Sequence, residues 1–213
     1  MVTKKTVKKV VAKPKVVKKV SEKHINFLLD ETGSMQSIKE KTINDFNEYL
    51  QGLKKAKGKA VFTLTKFNAM KVDVVYSGKD VKDIPELTTK TYMPTDGTPL
   101  YDAIGKSVKA LEKNEKTQEI LMVILTDGQE NASKEYNFKA ITELMKEKET
   151  QGWTFVYLGV GQAAWTQGAT LGMKNFASTS TTSRAMNIGS GASLAFMQGG
   201  SSSTKYFMSK NRK

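Results

Sequence analysis

The sequence predicts an α/β fold with a doubly wound, mostly parallel sheet, and three observations support this. Apolar runs of strand length alternate with amphipathic helical patterns from residue 24 to about residue 158. The run at 120–125 is apolar without interruption, as in a central strand that is covered on both faces. Two other runs, at 60–67 and 71–76, are separated by only three residues, which favours an antiparallel pair at one edge of the sheet.

Each predicted element follows from a local pattern. The expected strands lie at 24–30, 60–67, 71–76, 120–125 and 153–158, and the expected helices at 34–56, 99–113 and 136–150. In the first helix, apolar residues recur at three- and four-residue steps, and Gly58 follows its end. The second helix begins at Pro99, which suits a first helical turn because proline has no N–H to leave unbonded. Trp153 and Trp165 are expected to pack in the core.

The formal charge of +13 is unevenly distributed. Residues 1–23 carry a net charge of +8 and residues 150–213 a net charge of +6, whereas residues 24–149 carry −1. The chain has no cysteine, which excludes disulfides and thiolate metal sites. No apolar run is long enough to span a membrane, and no apolar segment follows the N-terminal lysines. We therefore expect neither a membrane anchor nor a secretory signal.

Composition divides the chain into three parts. Residues 1–23 are predicted to be a disordered, lysine-rich arm, residues 24–175 the folded domain, and residues 176–213 an extension rich in Ser, Gly and Ala. Within the extension, a weak helix is predicted at 183–197 and a flexible linker at 199–203. The arm is either a solvated tail or a polyelectrolyte that binds nucleic acid or another polyanion. In the second case the binding residues are Lys4, Lys5, Lys8, Lys9, Lys13, Lys15, Lys18 and Lys19.

Oxygen-bearing side chains follow the predicted strands at what would be one edge of the sheet. Asp30, Thr32 and Ser34 occupy alternate positions directly after the first strand. Asp127 follows the central strand, and Thr98 lies in the stretch GTPLYDAI, just before a predicted helix. Ligands of open α/β sheets bind at the carboxyl ends of the strands. Carboxylate and hydroxyl oxygens favour Mg²⁺, Mn²⁺ or Ca²⁺ over zinc, so the pattern predicts a site for a hard divalent cation.

Three stretches carry a resemblance to a known family. They are Asp30-x-Thr32-x-Ser34, the GTPLYDAI stretch, and Thr126-Asp127-Gly128. Together they resemble the metal-ion-dependent adhesion site of von Willebrand factor A (vWA) domains. The similarity covers about residues 24–172 and is nearest to the short, single-domain vWA proteins of bacteria and their phages.

The resemblance implies a role for each site residue. In a Rossmann-like vWA fold, Thr32 and Ser34 would bind the metal directly, and Thr98 would bind it when a ligand is present. Asp30 and Asp127 would act through water. Thr32 stands where serine is the common residue, but it retains the oxygen donor.

Alternative interpretations apply to several of these side chains. The site can also be vestigial, with its oxygens serving only as caps. Asp102 is expected to cap or pair locally, and Glu31 to point away from the metal. Ser34 lacks a nearby base, because His24, the single histidine, lies at the start of the first predicted strand, whereas Ser34 follows the end of that strand. We therefore expect a binding protein and not an enzyme.

Two functions remain open on the sequence. The resemblance implies a metal-dependent adhesion or scaffold module in which an Asp or Glu of a protein partner completes the coordination of Mg²⁺, or of Mn²⁺ or Ca²⁺. The alternative is a structural component of a phage particle, with basic arms that contact nucleic acid or acidic protein. Both place the chain in the cytoplasm of a bacterial or phage-infected cell, or in a virion, with no membrane partner.

Overall fold

The computed structural model describes residues 22–113 and 118–211, which form one six-stranded sheet. The strands are β1 (Glu22–Asp30), β2 (Val61–Phe67), β3 (Val72–Asp80), β4 (Gln118–Thr126), β5 (Thr154–Val160) and β6 (Phe176–Thr179). Their order across the sheet is β3-β2-β1-β4-β5-β6. Neighbouring strands are parallel except for β2 and β3. This confirms the predicted mostly parallel sheet with an antiparallel edge strand.

Helices cover both faces of the sheet. They are α1 (Lys39–Lys55), α2 (Leu100–Glu112), α3 (Phe138–Thr150), α4 (Gly161–Thr170) and α5 (Thr182–Lys210), with short 3₁₀ segments at Gly33–Ile38 and Val81–Asp83. Apolar residues of α1 and α5 pack on one face, and those of α2, α3 and α4 on the other. None of the helices in the described ranges is long and apolar enough to cross a membrane.

Four aromatic rings fix α1 against the sheet. Phe27 on β1 lies 5.3 Å from Phe46 and 5.1 Å from Tyr49, both on α1, measured between ring centroids. Phe62 on β2 completes the cluster, 6.5 Å from Phe27. All four side chains are buried. Because side chains alternate along a strand, β1 directs Phe27 toward α1 and Leu28 toward α2. The strand is therefore buried on both faces up to its last residue, Asp30.

The chain beyond residue 175 belongs to the packed structure through Lys210. It contributes β6 to the sheet, and α5 packs on α1 and β5. The flexible linker predicted at 199–203 is wrong, because these residues are helical, with one interruption at Gly200, where φ is +69°. Small residues let α5 approach the sheet closely: a Cβ at Gly189 would lie 2.6 Å from Leu158 Cδ1. Close packing at these small residues thus adds to the burial of Met186, Phe196, Met197 and Met208 on the same helix.

Other element boundaries differ from the predicted ones by a few residues, and one prediction of a buried side chain is wrong. Glu22 and Lys23 begin β1 and do not belong to an arm. The first turns of the helix predicted from residue 34 are 3₁₀. Trp153 is buried as expected, but the expectation for Trp165 is wrong, because 47% of its surface is exposed. The eight lysines proposed for polyanion binding lie outside the described residues.

Replacing Phe196 with alanine is expected to lower the free energy of unfolding by about 3–5 kcal/mol. Phe196 is fully buried on α5, so its removal leaves a cavity under the helix. Tyr206→Ala is the matched control on the same helix, because 67% of Tyr206 is exposed. Urea denaturation of the full chain measures both variants. Equal midpoints for the two would contradict the packing of α5 as part of the core.

Candidate metal centre

The fold brings the five predicted site residues to one edge of the sheet. Asp30 is the last residue of β1, and Asp127 directly follows β4. β1 and β4 are adjacent and parallel, so the two carboxylates leave the sheet at the same edge. Thr98 precedes α2 and is buried against them. The sequence therefore predicted correctly which end of the sheet these side chains share.

Hydroxyl groups connect the two sides of the site. Ser34 Oγ donates to Asp127 Oδ1 over 2.5 Å. Thr32 Oγ1 lies 3.2 Å from Ser34 Oγ, and Thr98 Oγ1 donates to Thr32 Oγ1 over 3.3 Å. Thr32 and Thr98 are buried, whereas Ser34 is exposed and Asp127 is partly exposed. The group therefore has a buried floor and one open side.

Asp30 holds a carboxylate in the floor of the site without a cationic partner among the described residues. It is fully buried, and its oxygens accept hydrogen bonds from the Thr32 backbone N–H at 2.8 Å and from Thr126 Oγ1 at 2.5 Å. Burial raises the pKa of Asp30 to about 7, against the lowering effect of these two donors. Burial also raises the pKa of Asp127, against the hydrogen bond from Ser34. Buried carboxylates of this kind favour a nearby positive charge.

The donor set fits a hard divalent cation. The converging atoms are carboxylate and hydroxyl oxygens, which Mg²⁺ and Mn²⁺ prefer. A Cβ at Gly128 would lie 3.1 Å from Thr98 Oγ1 and 3.6 Å from Ser34 Oγ, so glycine leaves space between the two hydroxyls. No cluster of three or more His, Cys, Asp or Glu side chains occurs in the part of the chain that the structure describes. Hydroxyls would therefore have to supply part of the coordination.

Glu31 is turned away from these oxygens, as the sequence led us to expect. Its Oε1 accepts from Lys66 Nζ at 2.7 Å and from the Met93 backbone N–H at 2.8 Å. Glu31 and Lys66 are both buried, so the pair neutralises the charge next to the site. Tyr92, which sequence reasoning missed, donates its hydroxyl to the Asp30 carbonyl at 2.6 Å. These contacts hold the loop around Tyr92 against the end of β1.

Asn131 fixes the position of Thr98. The Thr98 N–H donates to Asn131 Oδ1 at 2.7 Å, and the Asn131 N–H donates to the Thr98 carbonyl at 3.0 Å. Gly97 allows this approach, because a Cβ there would lie only 2.8 Å from Asn131 Oδ1. The loop after β4 and the loop before α2 are thereby joined beside the site. Nothing in the sequence alone pointed to this role of Asn131.

Two further carboxylates hold the loop after β4 to the start of α2. Asp102 accepts the backbone N–H groups of Lys134, Glu135 and Tyr136 at 2.9–3.0 Å. The prediction that Asp102 pairs locally is wrong, since these partners lie more than 30 residues away in the chain. Glu130, which sequence reasoning missed, accepts from the Tyr101 N–H at 2.9 Å and from N–H groups of its own loop. An acidic residue in a polar loop gives no signal of this role in the sequence.

Solved structures support the predicted fold, although no family model and no curated protein matches the chain. A von Willebrand factor type A protein from Catenulispora acidiphila is 13% identical, with a TM-score of 0.58 over 82% of this chain and 43% of that one. Manganese-loaded TRAP from Plasmodium vivax is 17% identical, with a TM-score of 0.53 over 75% of this chain and 68% of that one. The pilus adhesin SpaC from Lactobacillus rhamnosus GG is 12% identical, with a TM-score of 0.60 over 90% of this chain and 30% of that one.

These likenesses confirm that the chain has the vWA fold. At identities this low they establish the fold alone. The chain spans less than half the length of several solved structures that it matches, including those of the Catenulispora protein and SpaC. The metal site and the short bacterial or phage type remain predictions.

Asp102→Asn is expected to lower the free energy of unfolding by about 1–2 kcal/mol, since one oxygen acceptor for these partly buried N–H groups is replaced by a donor. Burial raises the pKa of Asp102, but the hydrogen bonds from the three N–H groups and the charge of Lys106 lower it by more. The net shift of this pKa is therefore downward. The carboxylate therefore contributes stability that is fully present above about pH 4 and is lost as the pH falls through its folded-state pKa.

Denaturant unfolding at pH 7 and at pH 3 tests this. The wild type should lose more stability than Asp102→Asn between the two values. Asp83→Asn, an exposed aspartate in the 3₁₀ segment Val81–Asp83, is the control and should follow the wild type. Identical pH profiles for wild type and Asp102→Asn would contradict the role given to Asp102.

Proposed function

We propose that the protein is a metal-dependent protein-binding module. It would hold Mg²⁺ or Mn²⁺, or alternatively Ca²⁺, at the sheet edge, and an Asp or Glu of a protein partner would complete the coordination. The residues that would hold the metal are Asp30, Thr32, Ser34, Thr98 and Asp127. When bound, the cation supplies a positive charge that can attract a carboxylate. The observation that carries the proposal is that three hydroxyls and two carboxylates lie close together and form a cluster that is open to solvent on one side.

The surface around the site favours a protein partner over a small molecule. Four exposed apolar side chains lie at this end of the sheet: Met70, Met93, Phe138 and Trp165. Met70 is in the turn after β2, and the Met93 N–H bonds to Glu31. Phe138 begins α3, and Trp165 lies in α4, which follows the end of β5. Exposed methionine and aromatic side chains around a polar centre are typical of protein interfaces.

The structural relatives agree with this proposal without establishing it. The TRAP structure is manganese-loaded, and SpaC is a pilus adhesin. Both share the fold that brings the five oxygen-bearing side chains of this chain to one edge of the sheet. From TRAP we take only that this fold can hold a divalent cation, and from SpaC only that it occurs in an adhesin.

A binding role is favoured over catalysis by the position of the histidine. His24 Nε2 lies 2.7 Å from Thr63 Oγ1 and is buried at the opposite end of β1 from Asp30. General-base activation of Ser34 by a histidine is therefore excluded, because a base must lie within hydrogen-bond reach. The Ser34 hydroxyl instead donates to Asp127.

The second candidate function is a scaffold in a phage particle, held through the basic arm to nucleic acid or acidic protein. It is favoured by the charge distribution, since eight lysines and no acidic residue precede Glu22. Such an arm would bind polyanions through counterion release. This role is compatible with the metal site, because the arm enters at Glu22, at the end of β1 opposite Asp30.

The full chain is expected to bind one Mn²⁺ in isothermal titration calorimetry. Ser34→Ala and Asp30→Ala should each weaken the affinity, the second by about tenfold or more, because it removes a negative charge from the floor of the site. Asp83→Ala removes an exposed carboxylate near the other end of the sheet and should leave the affinity unchanged. Unaltered Mn²⁺ affinity in both site variants would overturn the proposed site.

Removing residues 1–21 is expected to lower the salt concentration at which the protein elutes from heparin. For each phosphate or sulfate group that the shortened protein no longer binds, the slope of log K against log[salt] should fall by roughly 0.7–0.9. A full-length control with the eight lysines replaced by glutamine separates charge from length. Mn²⁺ affinity should not change in either variant. Unchanged elution of both would show that the arm is only a solvated tail.

A further inference from the structure

A second cleft opens at the same edge of the sheet as the candidate metal centre. It lies beside the carboxyl ends of β5 and β6 and has a volume of about 500 Å³. Its lining includes Gln162 and Trp165 of α4, Ser178 and Ser180 at the end of β6, and Arg184 of α5. None of these residues belongs to the metal centre. The cleft combines an aromatic surface, hydroxyl and amide groups, and a guanidinium group.

The described lining of the cleft contains one cationic side chain, Arg184, and no carboxylate; the Asp45 carboxylate accepts from Thr182 and Ser183, which precede Arg184 in the chain. No Asp or Glu occurs after Glu149 in the sequence. Among the described residues, no carboxylate forms a salt bridge with Arg184, which is exposed. In the part of the chain that the structure describes, no side chain caps the first turn of α4, which begins at the cleft with Gly161. The unpaired guanidinium and the uncapped N–H groups both favour an anionic group in the cleft.

Trp165 forms an exposed wall of the cleft. Ala164 and Gly168, which lie four residues apart on α4, are buried. Trp165 lies between them in the sequence but has 47% of its surface exposed to solvent. A large exposed aromatic next to an arginine is typical of the central residues of protein interfaces. A side chain whose charged end reached Arg184 would therefore find apolar contact for its stem on Trp165.

We propose that this cleft is a specificity pocket for a second acidic side chain of the same partner segment. This inference rests on the proposed function, in which a first carboxylate binds at the metal centre. The occupant is an acidic protein segment and not a nucleic acid. A nucleic-acid backbone needs a row of cations, whereas the described lining of the cleft has a single arginine.

The sheet register gives the separation of the strand ends beside which the two sites lie. Thr126 pairs with Gly159 on β5, and Gly159 pairs with Ser178 on β6. The end of β4 and the end of β6 are thus two strand spacings apart, about 10 Å. An extended peptide rises about 3.3 Å per residue, so three residues span this distance. A segment with two acidic residues separated by two others is therefore long enough to reach from one strand end to the other.

Two synthetic peptides test the inference on the full-length, ¹⁵N-labelled protein in Mg²⁺. The diacid is acetyl-Gly-Asp-Ala-Ala-Glu-Gly-amide, and its partner carries Gln in place of Glu. Titration to millimolar concentration, followed by NMR, gives both affinities and the residues that respond. The diacid is expected to bind roughly two- to fivefold more tightly, the ratio that one exposed ion pair provides. The diacid alone should shift the Trp165 indole N–H and the Arg184 Nε–H signals.

The variants separate this pocket from the metal centre. Arg184→Gln should reduce the affinity ratio of the two peptides to about one while leaving the Gln peptide unaffected. Lys205→Gln removes a charge from an exposed position elsewhere on α5 and should preserve the ratio. A ratio that survives Arg184→Gln, or a diacid that leaves Trp165 unperturbed, overturns the pocket but not the proposed function. Binding that is equal with and without Mg²⁺, or absent for both peptides, overturns the proposed function and the pocket with it.

Discussion

The burial of one carboxylate at the end of a central strand is the constraint on which the site depends. Asp30 is fully buried because β1 is covered on both faces and lies between β2 and β4. Its two oxygens accept bonds from the Thr32 N–H and the Thr126 hydroxyl, which are uncharged donors. Such donors only partly replace the water that the carboxylate has lost, so its pKa stays high. The fold therefore makes the ionised form of Asp30 unfavourable, and a divalent cation beside its carboxylate would stabilise that form.

The loops that carry the remaining side chains of the candidate site are held by other carboxylates and amides. Asp102 and Glu130 bind backbone N–H groups across the gap between the start of α2 and the loop after β4. Asn131 binds Thr98 through both its backbone and its side chain. Thr98 is consequently fixed relative to the loop that begins at Asp127. These bonds are made to backbone, so they set loop geometry without using the oxygens of the site. This arrangement favours a pre-organised centre, which lowers the entropic cost of binding.

The edge of the sheet is chemically asymmetric, with acidic groups on one side and basic groups on the other. The body of the chain from residue 24 to Glu149 is nearly neutral and contains every acidic residue of the site. The part that follows contains only basic charges and supplies Trp165 and Arg184. Parallel strand order places the ends of β4, β5 and β6 side by side, so the two chemistries meet along one edge. A partner that covers this edge would contact a metal centre, exposed apolar side chains and an unpaired cation together.

The sequence by itself determined five of the six strands and the antiparallel edge, and it placed the five oxygen-bearing side chains at the carboxyl edge, because these features depend on local patterns. Apolar periodicity identifies strands and helices, and polar residues directly after strands must lie at the carboxyl edge. Tertiary structure alone decided the rest. The small-residue segment after 175 gave no strong periodic signal, yet α5 packs tightly because Gly189 allows close approach to Leu158. The partners of Asp102 lie more than 30 residues away, and the exposure of Trp165 depends on how α4 sits on the sheet. Contacts between distant parts of a chain depend on shape and distance in space, which neighbouring residues in the sequence do not encode.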